Sequence, residues 1–232
     1  MSWLAPELHP VWKLQLRDGI ARPAFAAEVG RLLAAIHAAS ADNESLAQTF
    51  ANDENFFELR LDPYFGAAAR VHPDCAPALN QLIADTANNR HVLVHGDISP
   101  KNLLAGPHGL VFLDAECAWY GEPAFDVAFC LCHLLAKCLW RPQSSADFLA
   151  CFDAFATAYL SGVNWEEAAA LEARVARLLA AILLARVDGK SPLEYLDDRG
   201  RDLTRSFALP RVRKPMSRLA PLRDDWQRAL NF

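Results

Sequence analysis

One segment of the chain, from Pro123 to Leu139, is apolar on nearly every face that a helix would present. A helix with this pattern has no polar stripe to turn toward water, so it belongs inside a core. The longest apolar run within it, around Ala128 to Leu139, is too short to cross a membrane, and His133 and Lys137 interrupt it. We therefore predict a buried central helix with other helices packed around it.

Amphipathic helices are predicted on both sides of this segment, because apolar residues recur there at helical spacing. The predicted helices are 23–37, 77–86, about 145–160, one that begins after Asn164 and ends at Gly189, one opened by a capping box at 191–194, and a last one around Leu222, Trp226 and Leu230. The segment from Glu44 to His72 is less regular, and we expect short helices and loops there. The basic stretch RVRKPMSR is predicted to be a solvated loop.

The pattern changes in the middle of the chain, where three short runs favour β-strands. HVLVH, at 91–95, is followed by runs at 103–104 and 110–113 that flank the turn GPHG. The sequence therefore predicts an α+β fold, mainly helical, with a short β-hairpin.

Composition limits the class of protein. The chain has 232 residues, of which 53% are hydrophobic and 22% are charged, as in a globular domain with a substantial core. A net charge of −5 gives no basic surface for nucleic acid. No signal peptide opens the sequence, so we expect a cytoplasmic protein with no nucleic-acid or membrane partner.

Chemistry-bearing residues gather around the predicted hairpin. HGDISPKN contains Asp97 and Asn102, and VFLDAE, after the returning strand, contains Asp114. A carboxylate can accept the proton of an attacking hydroxyl, while an amide and a second carboxylate can hold Mg²⁺ against nucleotide phosphates. Taken singly, Asp97 could be a turn residue and Asp114 a strand-end residue. The combination at this spacing favours a phosphotransferase.

HGDISPKN together with FLDAE resembles the catalytic and metal-binding loops of the aminoglycoside phosphotransferase and choline kinase group. GEPAFDVAF extends the match and also resembles methylthioribose kinase, and VGRLLAAIH resembles the first large-lobe helix of the group. The resemblance runs from the N-terminus through about Lys190. It implies the C-terminal lobe of a protein-kinase-like fold, with ATP and Mg as cofactors. It also implies a small hydroxyl acceptor, which we expect to bear an amine.

The resemblance assigns roles to individual residues. Asp97 would be the catalytic base, Asn102 and Asp114 would bind Mg²⁺, and Asp126 would fasten the catalytic loop through backbone amides. Nucleotide contacts are implied for Trp3, Leu4, Ser99 and Lys101. From the residues alone, Asp126 is a carboxylate favoured by the dipole at a helix N-terminus.

Three neighbouring side chains have a less specific signal. His95 could be an acid–base group, but in such a loop we favour a packing and hydrogen-bonding role. Lys101 is expected to face solvent or phosphate. Glu116 could lie near the metal or could be an exposed loop carboxylate, and the sequence does not separate the two.

We predict one domain over residues 1–232, with a hinge remnant at 1–9, the catalytic and metal loops at 91–116, and a helical substrate-side region at 123–232. The glycine-rich turn and strand lysine of a small N-terminal lobe have no counterpart. Either the first Met is internal to a longer reading frame or the chain is a natural remnant. In both cases we expect weak or no activity from this chain alone.

Two other classes of function remain open. A kinase-like lobe could bind a ligand or partner without transferring phosphate. A two-metal phosphoesterase also uses Gly-Asp beside His, but it needs further His and Asp clusters, and the remaining histidines are scattered.

Overall fold

The computed structural model describes residues 4–230, and most of them are helical. The α-helices are α1 (Trp12–Arg17), α2 (Pro23–Ser40), α3 (Glu44–Thr49), α4 (Asp53–Phe56), α5 (Ala67–Val71), α6 (Ala76–Asn88), α7 (Pro123–Trp140), α8 (Ser145–Leu160), α9 (Ala168–Asp188), α10 (Asp198–Arg213) and α11 (Leu219–Leu230). The strands are β1 (Val92–Val94), β2 (Leu103–Gly106), β3 (Gly109–Phe112) and β4 (Trp119–Gly121). The mainly helical fold with small sheets agrees with the predicted class.

Helix α7 is the centre of the fold. Of the described helices, it alone is long and apolar enough to cross a membrane by length and composition, yet 89% of it is buried inside the protein. Helices α8 and α9 pack on it, α2 packs along α8, and α10 packs on α9. This burial is that of a core helix, so the prediction of a buried central helix is confirmed.

The irregular segment before α6 is more helical than predicted. A π-helical segment, Phe57–Gly66, joins α4 to α5 without a loop. The wider turn of a π-helix breaks the 3.6-residue spacing of apolar side chains, which is why the sequence pattern indicated loops. Its inward residues are Leu61, Tyr64 and Phe65. The segment forms one wall of the candidate site.

Two antiparallel pairs of strands surround the loop that carries the motif. β2 and β3 form a hairpin in which Leu103 pairs with Phe112 and Gly106 with Gly109. β1 pairs with β4, with Val94 opposite Trp119. The predicted strands are confirmed, whereas β4 has only three residues and its pairing was not predicted.

The capping box predicted at 191–194 is wrong. Arg186 donates hydrogen bonds to both the carbonyl and the hydroxyl of Ser191. Glu194 forms an ion pair with Lys13 at 2.8 Å, so neither the Ser191 nor the Glu194 side chain caps a helix. The next helix, α10, instead begins at Asp198, where the Asp197 side chain accepts a hydrogen bond from the Gly200 N–H.

The solvated loop predicted for RVRKPMSR is also wrong for its first three residues. They complete α10, and Arg211 is half-buried and pairs with Asp225 of α11.

Candidate functional site

The loop after β1 is anchored to the N-terminus of α7 by Asp126. This fully buried carboxylate accepts a hydrogen bond from the His95 N–H at 2.7 Å and one from the Gly96 N–H at 2.8 Å. His37 Nε2 lies 3.4 Å from the same carboxylate, and His37 Nδ1 contacts the Tyr159 hydroxyl at 2.7 Å. The prediction that Asp126 fastens the loop through backbone amides is confirmed.

His95 links the loop to the end of β3. Its Nδ1 accepts from the Asp97 N–H at 3.2 Å, so the ring proton resides on Nε2 and is donated to the Leu113 carbonyl at 3.0 Å. Both ring nitrogens are used within the protein. This geometry confirms the packing and hydrogen-bonding role predicted for His95.

Gly96 is required by the path of the loop. Its φ of +79° is unfavourable for residues with a side chain, and a Cβ at this position would lie 2.7 Å from the Cys117 carbonyl oxygen. The loop and the segment before β4 therefore approach more closely than a side chain would allow.

Asp97 follows directly and is 5% exposed. Its Oδ2 lies 3.2 Å from an Arg60 guanidinium nitrogen and 3.1 Å from Lys101 Nζ. Arg60 also donates to the Gly96 carbonyl at 2.5 Å, so it holds the loop backbone and the carboxylate together. About half of the Lys101 side chain is exposed to solvent, and its ammonium group forms an ion pair with Asp97. Arg60 lies on the π-helical segment, and no motif or spacing in the sequence indicates its role.

Asn102 and Asp114 are at the open end of the hairpin, Asn102 directly before β2 and Asp114 two residues after β3. The Leu113 N–H donates to the Asn102 carbonyl at 2.9 Å, which places the residue before Asp114 against Asn102. Asn102 Nδ2 donates to the Asp97 carbonyl at 3.1 Å, so its Oδ1 remains available as a ligand. Asp114 is exposed and has a φ of 64°, a left-handed conformation that Asp tolerates better than most residues.

The pKa of the Cys117 thiol depends on the charged side chains near it. Burial raises its pKa, the Arg60 guanidinium opposes that shift, and the carboxylates of Glu116, Asp97 and Asp114 add to it. Both predicted site carboxylates thus act on one buried sulfur atom. The loop and the end of β3 bring them to the same part of the protein.

A cavity of about 370 Å³ opens beside the loop. Asp97, Ser99 and Lys101 line it, and Glu116 is an exposed residue at its wall. The Ser99 hydroxyl is buried and has no hydrogen-bond partner among the described residues. A cavity of about 500 Å³ lies elsewhere, among α7, α8, α10 and α11, and takes no residue of the loop.

The remaining predicted site residues do not line this cavity. Asn102 and Asp114 lie at the open end of the hairpin, outside the walls of the cavity, and Leu4 is half-buried and also outside them. Trp3 lies outside the described residues. Within residues 4–230, no group of three or more His, Cys, Asp or Glu side chains could hold a metal ion. An amide and a carboxylate are nonetheless ligands suited to Mg²⁺, which takes its other ligands from water and bound phosphates.

Comparison with known proteins gives two matches. The phosphotransferase enzyme family matches residues 9–171, a range that includes the loop, the hairpin and Asp126. Methylthioribose kinase from Geobacillus thermodenitrificans (strain NG80-2) is 31% identical over 98 residues, which cover 41% of this chain and 24% of that protein. The match thus spans about a quarter of the length of this curated relative. These findings confirm the resemblance that the loop motifs indicate.

Proposed function

Because the chain belongs to the phosphotransferase enzyme family, we propose that it transfers the γ-phosphate of ATP to a hydroxyl group of a small molecule. The observation that carries this proposal is the position of Asp97. Its carboxylate lines a cavity large enough for a small substrate, while Asn102 ends the same loop and is hydrogen-bonded through its carbonyl to Leu113, the residue before Asp114.

Asp97 is proposed as the base. Both cations lie closest to Oδ2, and no described residue donates a hydrogen bond to Oδ1, so we assign Oδ1 as the atom that accepts the proton. The acceptor hydroxyl would donate to Oδ1, and Asp97 would take its proton as the hydroxyl oxygen bonds to the γ-phosphorus and the bond from that phosphorus to the bridging oxygen breaks, with ADP as the leaving group. Arg60 and Lys101 fix the orientation of the carboxylate, and the hydrogen bonds from His95 and Gly96 to Asp126 fix the backbone that carries it.

The metal ligands proposed are Asn102 Oδ1 and the Asp114 carboxylate. Mg²⁺ and ATP, when bound, supply the phosphoryl group and the positive charge that neutralises it. The hydrogen bond from Asn102 Nδ2 to the Asp97 carbonyl holds the amide so that Oδ1 is directed away from the loop backbone. Ser99 and Lys101 are proposed to contact the nucleotide. A reaction that consumes ATP agrees with the expected cytoplasmic location.

A non-catalytic binding module is the second candidate, and one observation favours it. Asp97 Oδ2 is shared by two cations, as in a structural ion-pair network. A pure binding module needs neither Mg²⁺-ATP nor an ionisable group at position 97.

Asp97→Asn separates the two candidates. Transfer from Mg²⁺-ATP, which we expect to be weak in the unmodified chain, should fall by a further factor of about 10² or more, because a general base contributes on that scale, while nucleotide binding by calorimetry stays largely intact. Asp147→Asn is the matched control, since Asp147 is an exposed carboxylate in the first turn of α8. Equal transfer rates in both variants would refute Asp97 as the base. No nucleotide binding by the unmodified protein would favour the binding module.

A further inference from the structure

The cavity beside Asp97 has more positive than negative side chains in its walls. The positive ones are Lys13, Arg60, Lys101, Lys137 and Arg186, and the negative ones are Asp97, Glu116 and Glu194. Lys137, on α7, is 1% exposed, and Arg186, on α9, is 9% exposed. The excess positive charge is therefore placed partly inside the protein, where water compensates it poorly.

The shallower cations are already paired with carboxylates of the protein. Lys13 binds Glu194 at 2.8 Å, and Arg60 and Lys101 share Asp97. Because these contacts use two of the three wall carboxylates, little negative charge remains for the deeper pair.

Lys137 has no carboxylate partner within ion-pair distance among the described residues. Its ammonium nitrogen lies 4.0 Å from the ring centroids of both Trp140 and Tyr195, which stack on each other at 4.5 Å. Aromatic faces attract a cation but do not cancel its charge. The two rings thus hold the ammonium group in place while leaving it open to an anion.

The charges near Lys137 act mainly against its protonation. Burial, together with the positive charges of Lys13 and Arg186 and against an opposing effect of Glu194, lowers the pKa of Lys137 from 10.5 to about 7. The neighbouring His133 is buried, and burial with nearby cations lowers its pKa well below the ordinary value, so it adds a polar group without charge.

Arg186 is held by neutral groups alone. One guanidinium nitrogen donates to the Tyr64 hydroxyl at 3.2 Å and to the carbonyl and hydroxyl of Ser191 at 2.5 and 3.0 Å. No ion pair with a carboxylate is present among the described residues, and the buried Nε has no hydrogen-bond partner there. A buried, rigid guanidinium without a counter-ion is costly unless a ligand supplies one.

We infer that the acceptor carries an anionic group of its own, a carboxylate or a phosphate, which binds to Lys137 and Arg186 while its hydroxyl faces Asp97. This inference rests on the proposed phosphotransferase function. It differs from the amine-bearing acceptor expected from the sequence, because the unneutralised charge deep in the cavity has the wrong sign for an amine. Sugar acids and sugar phosphates are compounds of the required class.

The test compares matched sugars that differ in charge. Calorimetry with glucuronate, glucose 6-phosphate, glucose and glucosamine should give at least about tenfold tighter binding for one of the two anions than for glucose, since a hydrogen bond to a charged group is worth that much. Lys137→Met should remove this advantage, because Met keeps the length and loses the charge. Lys214→Met, an exposed lysine outside the cavity, should retain it.

A second readout is the ¹³C signal of Lys137 Cε, titrated with and without inorganic phosphate and glucuronate. Either anion should raise the measured pKa of Lys137, because a nearby negative charge favours the ammonium form. Three results would each overturn the inference. Glucosamine could bind as tightly as either anion, no anion could shift the ¹³C signal of Lys137, or Mg²⁺-ATP could displace the bound anions.

The two proposals fail in different ways. Asp97-dependent transfer to neutral or amine-bearing acceptors would keep the phosphotransferase and overturn the anionic acceptor. Anions that bind at Lys137 in a protein that neither binds Mg²⁺-ATP nor transfers phosphate would keep the anion site and overturn the phosphotransferase.

Discussion

Asp126→Ala tests how the catalytic loop is held. The substitution removes both hydrogen bonds from the loop amides, at 2.7 and 2.8 Å, and leaves two N–H groups without an acceptor. A hydrogen bond to a charged group contributes about 1.5–3 kcal/mol, so the loss of two predicts a decrease of about 3–6 kcal/mol in the free energy of unfolding. That is a large part of the stability of a typical domain.

Urea unfolding, followed by circular dichroism, measures this decrease. Asp147→Ala is the matched control, because Asp147 also lies in the first turn of a helix but is exposed. It should lose only the interaction with the helix dipole, about 0.3–1 kcal/mol. If both substitutions cost the same, Asp126 is an ordinary helix N-terminal carboxylate and the reasoning about the loop is refuted.

Other residues of the site give predictions of the same kind. Gly96→Ala should destabilise the protein by at least about 2 kcal/mol in urea unfolding, from the positive φ and the contact with Cys117. Arg60→Met should lower kcat with Mg²⁺-ATP by about tenfold to a hundredfold, because Asp97 loses one of the two groups that orient it. The folded protein releases the Lys137 proton near pH 7, whereas the unfolded chain keeps it to about 10.5, so stability should rise with pH in that range.

Each of these predictions has its own control. Gly19→Ala shares the φ of +79° but meets only the Ser144 hydroxyl, so an equal loss in both glycine variants would refute the close approach of the loop. Arg70→Met removes an exposed arginine from α5 and should leave kcat unchanged. Lys137→Met should remove the rise in stability between about pH 7 and 10.5, and a rise that persists in this variant must come from another group.

Hydrophobic periodicity and motif spacing predict the parts of the fold that depend on neighbouring residues in the sequence. The apolar run of α7 and the alternation from helix to short strands are visible in the sequence, and the motif loop with Asp97, Asn102 and Asp114 follows from its spacing. Strand β4 is not visible, because three residues carry no periodicity and their pairing depends on a distant strand.

Contacts between distant segments explain the rest. Arg60, on the π-helical segment, contacts Gly96, which is 36 residues later in the sequence. The wide turns of that segment do not follow the 3.6-residue spacing, so the spacing does not predict where the Arg60 side chain points. The false capping box has the same origin, since Ser191 is bound by Arg186 instead of opening a helix. The positive charge of the cavity cannot be predicted from the sequence either, because its cations come from separate helices, a loop and the π-helical segment.

The π-helical segment Phe57–Gly66 forms one wall of the cavity beside Asp97. The number of residues in this segment matters more for the shape of the wall than the identity of its side chains. Its turns contain more residues than those of an α-helix, so deleting a single residue could leave a continuous helix of ordinary pitch. A deletion that the helix does not absorb in this way rotates the residues after it by about 100°, the angle between successive α-helical residues. The part of the wall beyond the deletion would then turn a different face toward the cavity, so a change in the number of residues here disturbs the site more than an exchange of side chains.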